Sequence, residues 1–150
     1  MKINFTKKQY RDLIKLAYLG NWYANAIRVG NKQEPNIKRY HGMEQYIFSY
    51  ADKFDSSDLV EWMEEYSEYF PTRKLEDDPE IVRIMEEFDE ENFWDSLHSK
   101  LYARDFLRQY PPAIIRKMSF RERITKEEPY RQKWYDELEK NGLNRFEIKE

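Results

Sequence analysis

Two acid–histidine pairs are the residues whose types and spacing suit metal chemistry. His41 and Glu44 stand three positions apart, and so do Asp95 and His98. Residues three apart share one face of a helix, and Glu-x-x-His pairs on facing helices build di-iron sites in bundles. The sequence therefore leaves open a metal-dependent helical-bundle enzyme with His41, Glu44, Asp95 and His98 as ligands. The alternative is that each histidine hydrogen-bonds its neighbouring carboxylate at the edge of the core.

A row of glutamates is the second candidate site. Its members follow the i, i+3, i+4, i+7 spacing of one helix face: Glu61, Glu64, Glu65 and Glu68. Like charges at these spacings repel each other on a helix, and no Lys or Arg lies between Lys53 and Arg73. This pattern predicts a non-enzymatic interaction or inhibitory protein that presents an acidic helix face to a basic protein partner. The predicted docking surface also includes Tyr69, Arg73, Glu76, Asp77 and Asp78.

The charge of the whole chain is segregated in the same way. Residues 52–95 contain 17 Asp and Glu against 4 Lys and Arg, although the net charge of the protein is only −3. Separated charge creates a directional field that a partner can recognise. Two basic rows could instead neutralise the glutamates within the fold: Lys8, Arg11 and Lys15, or Lys100, Arg104 and Arg108. The sequence does not choose between a docking surface and this internal compensation.

The basic segment 100–133 offers a third function. It has ten Lys and Arg against four acids, interleaved with aromatic residues, a composition that can contact phosphates and stack on bases. A pI near 5.6 and the acidic segment oppose binding to a polyanion. Nucleic-acid binding is therefore the less favoured alternative.

Composition limits the remaining classes of function. The absence of cysteine excludes disulfides, thiolate metal sites and thiol nucleophiles. No P-loop, zinc-protease or serine-hydrolase motif occurs, so no catalytic residue and no cofactor is predicted. No apolar run reaches the roughly 18 residues of a membrane span, and the first residues do not resemble a signal peptide. We expect a cytoplasmic protein with a single helical domain over residues 1–150; the oligomeric state is not indicated.

Helical spacing and end signals predict an all-α fold, a compact bundle of about five to six helices. Thr6 and Gln9 form a capping box at the first helix, which should end near Gly30. A second helix is predicted from Ile37 to Phe54. The cluster of cap residues at 55–58 should start a third helix through Tyr66, which would carry the glutamate row.

The second half of the chain follows the same logic. Asp78 should cap a helix that starts at Pro79, and a break is predicted near Asp89, with a fifth helix ending before the prolines at 111–112. The last helix should begin at Ser119 or at Thr125 and end near residues 141–142. Short apolar alternations at residues 3–5 and 146–148 suggest a minor two-stranded ribbon formed by the termini.

Overall fold

The fold is mostly helical with one minor ribbon, as the sequence predicts. The computed structural model describes residues 3–28 and 37–147, and 72% of these residues are helical. Within the described residues there are six α-helices and one two-stranded antiparallel sheet: α1 (Lys7–Asn25), α2 (Lys38–Phe48), β1 (Val60–Met63), β2 (Glu68–Pro71), α3 (Arg73–Glu76), α4 (Pro79–Gln109), α5 (Pro112–Ile115) and α6 (Phe120–Asn141). None of these helices is both long and apolar enough to cross a membrane.

The chain divides into two compact units, Met1–Met85 and Glu86–Glu150. The first contains α1, α2, the sheet and α3, and it carries the glutamate row. The second contains α5 and α6 and most of α4. The single domain over residues 1–150 stays a prediction.

The capping signals place α1 where the sequence predicts it. The Gln9 amide donates to Thr6 Oγ1 at 3.2 Å, and the Thr6 amide donates to Gln9 Oε1 at 3.0 Å. Phe5 and Tyr10 meet edge to face with 6.3 Å between ring centroids, which completes the predicted staple. The helix runs through Gly20 to Asn25, and a short 3₁₀ turn follows. The predicted end at Gly30 lies outside the described residues.

The core of the first unit is formed by α1, α2 and the segments on either side of the sheet. Tyr10 stacks on Phe54 with ring centroids 4.0 Å apart, and its hydroxyl donates to the Ile47 carbonyl. The buried apolar cluster comprises Tyr10, Ile14, Phe48, Ala51, Leu59, Val60, Leu75 and Ile81. This cluster holds α1 and α2 against the sheet. Burying each Val, Leu, Ile or Phe side chain in it stabilises the fold by roughly 1.5–3 kcal/mol.

The predicted third helix is wrong. Residues 60–71 form a β-hairpin, in which Glu61 pairs with Phe70 and Met63 with Glu68. A helix would have placed the four glutamates three and four residues apart on one face, where they repel one another. In the hairpin, each strand glutamate instead faces an apolar residue across the ladder. Ser67 closes the turn in the left-handed conformation, with φ 53°.

The predicted break at Asp89 is also wrong, because α4 is continuous from Pro79 to Gln109. Asp78 caps its start, since its Oδ1 accepts from the Glu80 and Ile81 amides at 3.1 and 3.4 Å. No proline or glycine lies between residues 80 and 109 to interrupt the backbone hydrogen bonds. The helix stops at the predicted pair of prolines.

Ser119 resolves the start of the last helix. Its hydroxyl accepts from the Glu122 amide at 3.2 Å, and α6 then runs to Asn141 with Gly142 following at φ 53°. Thr125 lies inside the helix. The ribbon predicted from the termini does not form over the described parts, since residues 3–5 and 146–147 belong to no strand; residue 148 is outside them.

Candidate functional site

The acidic hairpin, residues 60–71, places the predicted glutamates on strands and a turn. Glu61 lies on β1 and is exposed, Glu64 and Glu65 are exposed in the turn, and Glu68 is half-buried on β2. Three of the four carboxylates are thus close in sequence and open to solvent. They form an acidic tip on the hairpin, whereas the sequence predicted a helix face.

No Lys or Arg of the described residues forms an ion pair with these four glutamates. Glu64 accepts from the indole Nε1 of Trp62 at 3.0 Å. Glu68 accepts from His41 Nε2 at 3.1 Å. Within the same residues Glu61 and Glu65 have no polar side-chain partner. The tip therefore keeps its negative charge facing solvent.

Neighbouring acids, in contrast, are neutralised by basic residues of α1 and α3. Arg11 donates to both oxygens of Asp58, at 2.7 and 3.0 Å, and Lys74 reaches the same carboxylate at 2.6 Å. Lys15 lies 2.8 Å from Asp78 and 3.1 Å from Glu80. Arg11 and Lys15 of one predicted basic row thus serve internal compensation, but for acids outside the hairpin tip, and Lys8 forms no ion pair among the described residues.

These contacts change the acidity of the carboxylates. The hydrogen bonds from Arg11, and then from Lys74, hold the pKa of Asp58 well below its usual range. The hydrogen bond from Lys15 lowers the pKa of Asp78 in the same way, and two backbone amides add to the effect. Opposite charge and donated hydrogen bonds favour the ionised form. Asp58 and Asp78 are consequently compensated by cations within the first unit.

The second predicted basic row does not meet the acidic segment in the contacts of the described residues. Arg104 and Arg108 both pair with Asp105, at 2.9 and 3.5 Å, and Lys100 forms no ion pair there. Both arginines belong to the unit Glu86–Glu150. Both arginines thus pair with a carboxylate of their own helix, α4.

The other predicted docking residues fall into two groups. Tyr69 is half-buried and packs against the core cluster, with its ring 4.9 Å from that of Trp62. Arg73, Glu76 and Asp77 are exposed around α3, directly after β2. Asp78 is occupied by Lys15. The exposed charged surface therefore extends to Arg73, Glu76 and Asp77. Tyr69 instead packs against the core cluster.

Two aromatic side chains of the hairpin are more exposed than their size would suggest. Trp62 is 48% exposed and Tyr66 is 56% exposed, although large rings usually contribute to burial. The Tyr66 ring lies 5.5 Å from that of Phe70. Aromatic residues beside uncompensated carboxylates are typical of surfaces that bind arginine or lysine side chains.

The two edges of the hairpin differ, a feature that the sequence did not predict. The Thr72 amide donates to the Leu59 carbonyl at 2.9 Å, so these two residues form a hydrogen-bonded pair. Hydrogen-bonded and non-hydrogen-bonded pairs alternate along an antiparallel ladder, and Trp62 with Tyr69 is therefore a non-hydrogen-bonded pair. The main-chain groups of Tyr69 then point outwards from β2. Gln45 of α2 covers them, since it donates to the Tyr69 carbonyl at 2.8 Å and accepts from its amide at 2.7 Å.

The same alternation directs the main-chain groups of Val60 and Trp62 outwards from β1. In the described part of the chain, neither residue's main chain hydrogen-bonds to another element. On the opposite edge Pro71, which has no amide hydrogen, lies at an outward position of β2. The edge at β2 is therefore covered by Gln45 and Pro71. The edge at β1 is exposed at Trp62, whereas Val60 is buried in the core cluster.

The histidine pairs do not form a metal centre within the described residues, where no group of three or more His, Asp or Glu is arranged to hold an ion. His41 lies between two carboxylates, with Nδ1 at 3.7 Å from Glu44 and Nε2 at 3.1 Å from Glu68. Glu44 is 7% exposed and accepts from Asn21 at 2.8 Å. This chain of polar groups links α1, α2 and β2.

Asp95 and His98 lie in the second unit. They line a cavity of about 330 Å³ with Trp94 and Tyr135. His98 Nε2 donates to the Arg131 carbonyl at 2.9 Å, so this nitrogen is not available as a ligand. His41 and Glu44 therefore belong to the first unit, and Asp95 and His98 to the second.

Much of the positive charge in segment 100–133 is engaged inside the second unit. Arg123 pairs with Glu127 at 2.7 Å and Lys126 with Glu122 at 2.6 Å. The guanidinium of Arg131 lies over the Tyr102 ring at 5.1 Å. These contacts leave fewer cations for phosphates than the composition suggests, and no observation favours nucleic-acid binding.

Comparison with known proteins adds no relative. The chain matches no protein-family model, and neither the curated proteins nor the solved structures include a similar one. The candidate site is therefore argued from its own geometry.

Proposed function

We propose that this chain is a non-enzymatic interaction protein of the cytoplasm, which presents the acidic hairpin to a basic segment of a protein partner. The observation that carries the proposal is the contrast in charge compensation. Asp58, Asp78 and Glu80 are paired by cations of the first unit, whereas no cation among the described residues pairs with the exposed Glu61, Glu64 and Glu65. Uncompensated charge at one place gives specificity and speeds association with a partner of opposite charge.

The open edge of β1 supports an extended partner. An incoming strand can pair with the outward main-chain groups of Trp62, which is 48% exposed, the mode of recognition known as strand addition. Main-chain pairing provides affinity that does not depend on the partner's sequence. Side chains of alternate partner residues would then lie near the hairpin's glutamates, where Lys or Arg is favoured.

The exposed rings support the same partner chemistry. Trp62 and Tyr66 flank the glutamates along the chain and offer π faces to a guanidinium or ammonium group. A cation held between a ring and a carboxylate gains from both contacts. We therefore expect arginine to be preferred over lysine, since its planar group can stack and pair at once.

The test uses a fluorescently labelled peptide of alternating arginine and valine, with a peptide of alternating glutamate and valine as the negative probe. The triple variant Glu61→Gln, Glu64→Gln, Glu65→Gln should weaken binding by roughly tenfold or more. The control variant Glu86→Gln, Asp89→Asn, Glu128→Gln removes the same charge from exposed acids elsewhere and should leave the affinity nearly unchanged. Equal affinity of the two triple variants would contradict the proposal.

A second measurement addresses the mode of binding. If the peptide adds as a strand, the amide of Trp62 should become protected from hydrogen exchange on binding, while the Tyr69 amide, already held by Gln45, should change little. Rising salt should weaken the complex, because exposed charges are screened. Binding without protection at Trp62 would rule out strand addition.

A further inference from the structure

A groove between α1 and α2 is a second feature of the first unit, separate from the acidic hairpin. It encloses about 520 Å³, within the roughly 300–1,000 Å³ of small-molecule sites. Its wall is mostly apolar and is built by Leu13, Leu16, Ala17, Met43 and Ile47. Leu16 and Met43 at the rim are 66% and 58% exposed. The groove thus offers an apolar surface that the described residues leave uncovered.

Glu44 is the charged group of this groove. The residue is 93% buried, at 7% exposure, and lines the cavity. Its Oε2 accepts from Asn21, and His41 Nδ1 lies 3.7 Å away. Its Oε1 accepts no hydrogen bond from the described residues and is not sealed from solvent. A carboxylate oxygen of a largely buried residue that lacks a protein donor requires a ligand or water to supply one.

We infer that this groove binds an amphiphilic amine, whose protonated amino group pairs with Glu44 Oε1 while its hydrocarbon chain lies along the apolar wall. An amine supplies both the missing donor and the compensating charge. A carboxylate of the same length would meet like charge. A plain hydrocarbon would leave Oε1 without a partner. The inference goes beyond the proposed function and involves none of the residues that form the hairpin tip.

Gly20 provides a way to close the groove without damaging the fold. It lines the cavity on α1, and a Cβ placed there would meet nothing within 4 Å. Gly42 of α2 is equally free of neighbours within 4 Å and does not line the cavity. Replacing a helical glycine by leucine reduces the backbone entropy that is lost on folding. The two positions form a matched pair, one inside and one outside the groove.

The experiment titrates the protein with octylamine by calorimetry. Octanoate tests the requirement for positive charge, and propylamine tests the requirement for a hydrocarbon chain. We expect saturable binding of octylamine and at least roughly tenfold weaker binding of the other two. Saturation by octanoate at a similar concentration, or no saturation by octylamine, would overturn the inference.

The variants then locate the site. Gly20→Leu should weaken octylamine binding by roughly tenfold or more without loss of thermal stability, whereas Gly42→Leu should leave binding unchanged. Unaltered binding in Gly20→Leu would overturn the assignment to this groove. Because neither variant touches residues 60–71, the hairpin's binding of the arginine–valine peptide should persist in both.

Measuring proton release on binding distinguishes a direct contact between octylamine and Glu44 from a structural role of Glu44. Burial raises the pKa of this carboxyl to about 7, and a bound ammonium would lower it. Octylamine binding near pH 7 should therefore release protons, seen as a dependence of the binding heat on the buffer, and Glu44→Gln should abolish that release. His41, Glu68 and Tyr18 also face this group. Release that persists in Glu44→Gln would contradict the contact.

Discussion

Asp58 and Glu44 are carboxylates of the same unit in contrasting environments. Asp58 is partly exposed and bound by two cations. Glu44 is buried and bound by an amide, with a histidine nearby. Hydrogen bonds from charged partners lower the pKa of the first carboxyl, and burial raises that of the second. At Glu44, burial therefore raises the pKa more than the neutral hydrogen bond from Asn21 lowers it.

The two regions should respond to pH with opposite signs. Asp58 has a folded pKa below its ordinary value of 3.8, so its contribution to stability is present above that value and is lost as the pH falls below it. Glu44 rises from 4.5 to about 7 on folding. The folded state then binds more protons, and the contribution of Glu44 is present below pH 4.5 and lost as the pH rises towards 7.

The largest effect is expected for Glu44→Gln. A neutral amide avoids the cost of ionising a buried group, so the variant should gain on the order of 2–3 kcal/mol in free energy of unfolding at pH 8. Near pH 4 the two proteins should differ by less than about 0.5 kcal/mol. Urea unfolding at both pH values measures this, and equal gains at both would contradict a raised pKa.

A smaller effect of opposite sign is expected for Asp58→Asn. It leaves Arg11 and Lys74 without their carboxylate and should cost about 1–2 kcal/mol at pH 7, once exposure is allowed for. The matched control is Asp55→Asn, because Asp55 and its partner Lys7 are about 70% exposed and should contribute little. If both variants lose the same stability in thermal unfolding, geometry and burial do not distinguish these pairs.

The smallest effect is expected in the acidic hairpin. Replacing Glu61, Glu64 and Glu65 by glutamine should change the free energy of unfolding by less than about 0.5 kcal/mol, since exposed residues without ion pairs contribute little. Chemical denaturation of this variant beside the wild type gives the value. A loss above about 1 kcal/mol would show that the acids serve the fold and would weaken the docking proposal.

Local signals predicted the helix ends because capping is a contact between residues three apart. Thr6 with Gln9 forms as the sequence indicates, and Ser119 with Glu122 is one of the two starts that the sequence left open. The hairpin was missed because Leu59, Trp62, Met63 and Tyr66 fit helical spacing as well as a strand and turn. The alternation of Val60 with Trp62 and the repulsion among the glutamates were the signals for a strand.

The site depends on contacts that spacing cannot show. Glu44 was selected through its neighbour His41, but its hydrogen-bond partner Asn21 is 23 positions away. Gln45, which covers β2, gives no local sign of that role. Such pairings follow from how α1, α2 and the sheet pack, and one sequence contains no direct record of them.

The closed edge of β2 has a consequence for self-association. With Gln45 and Pro71 on that side, a second copy of this chain could pair only through its own β1, which would give a four-stranded sheet with both outer edges blocked. Growth into a fibre would stop at two copies. The glutamates of two such copies would also repel each other, so pairing between the β1 strands of two copies is disfavoured, and a strand of opposite charge would meet no such repulsion.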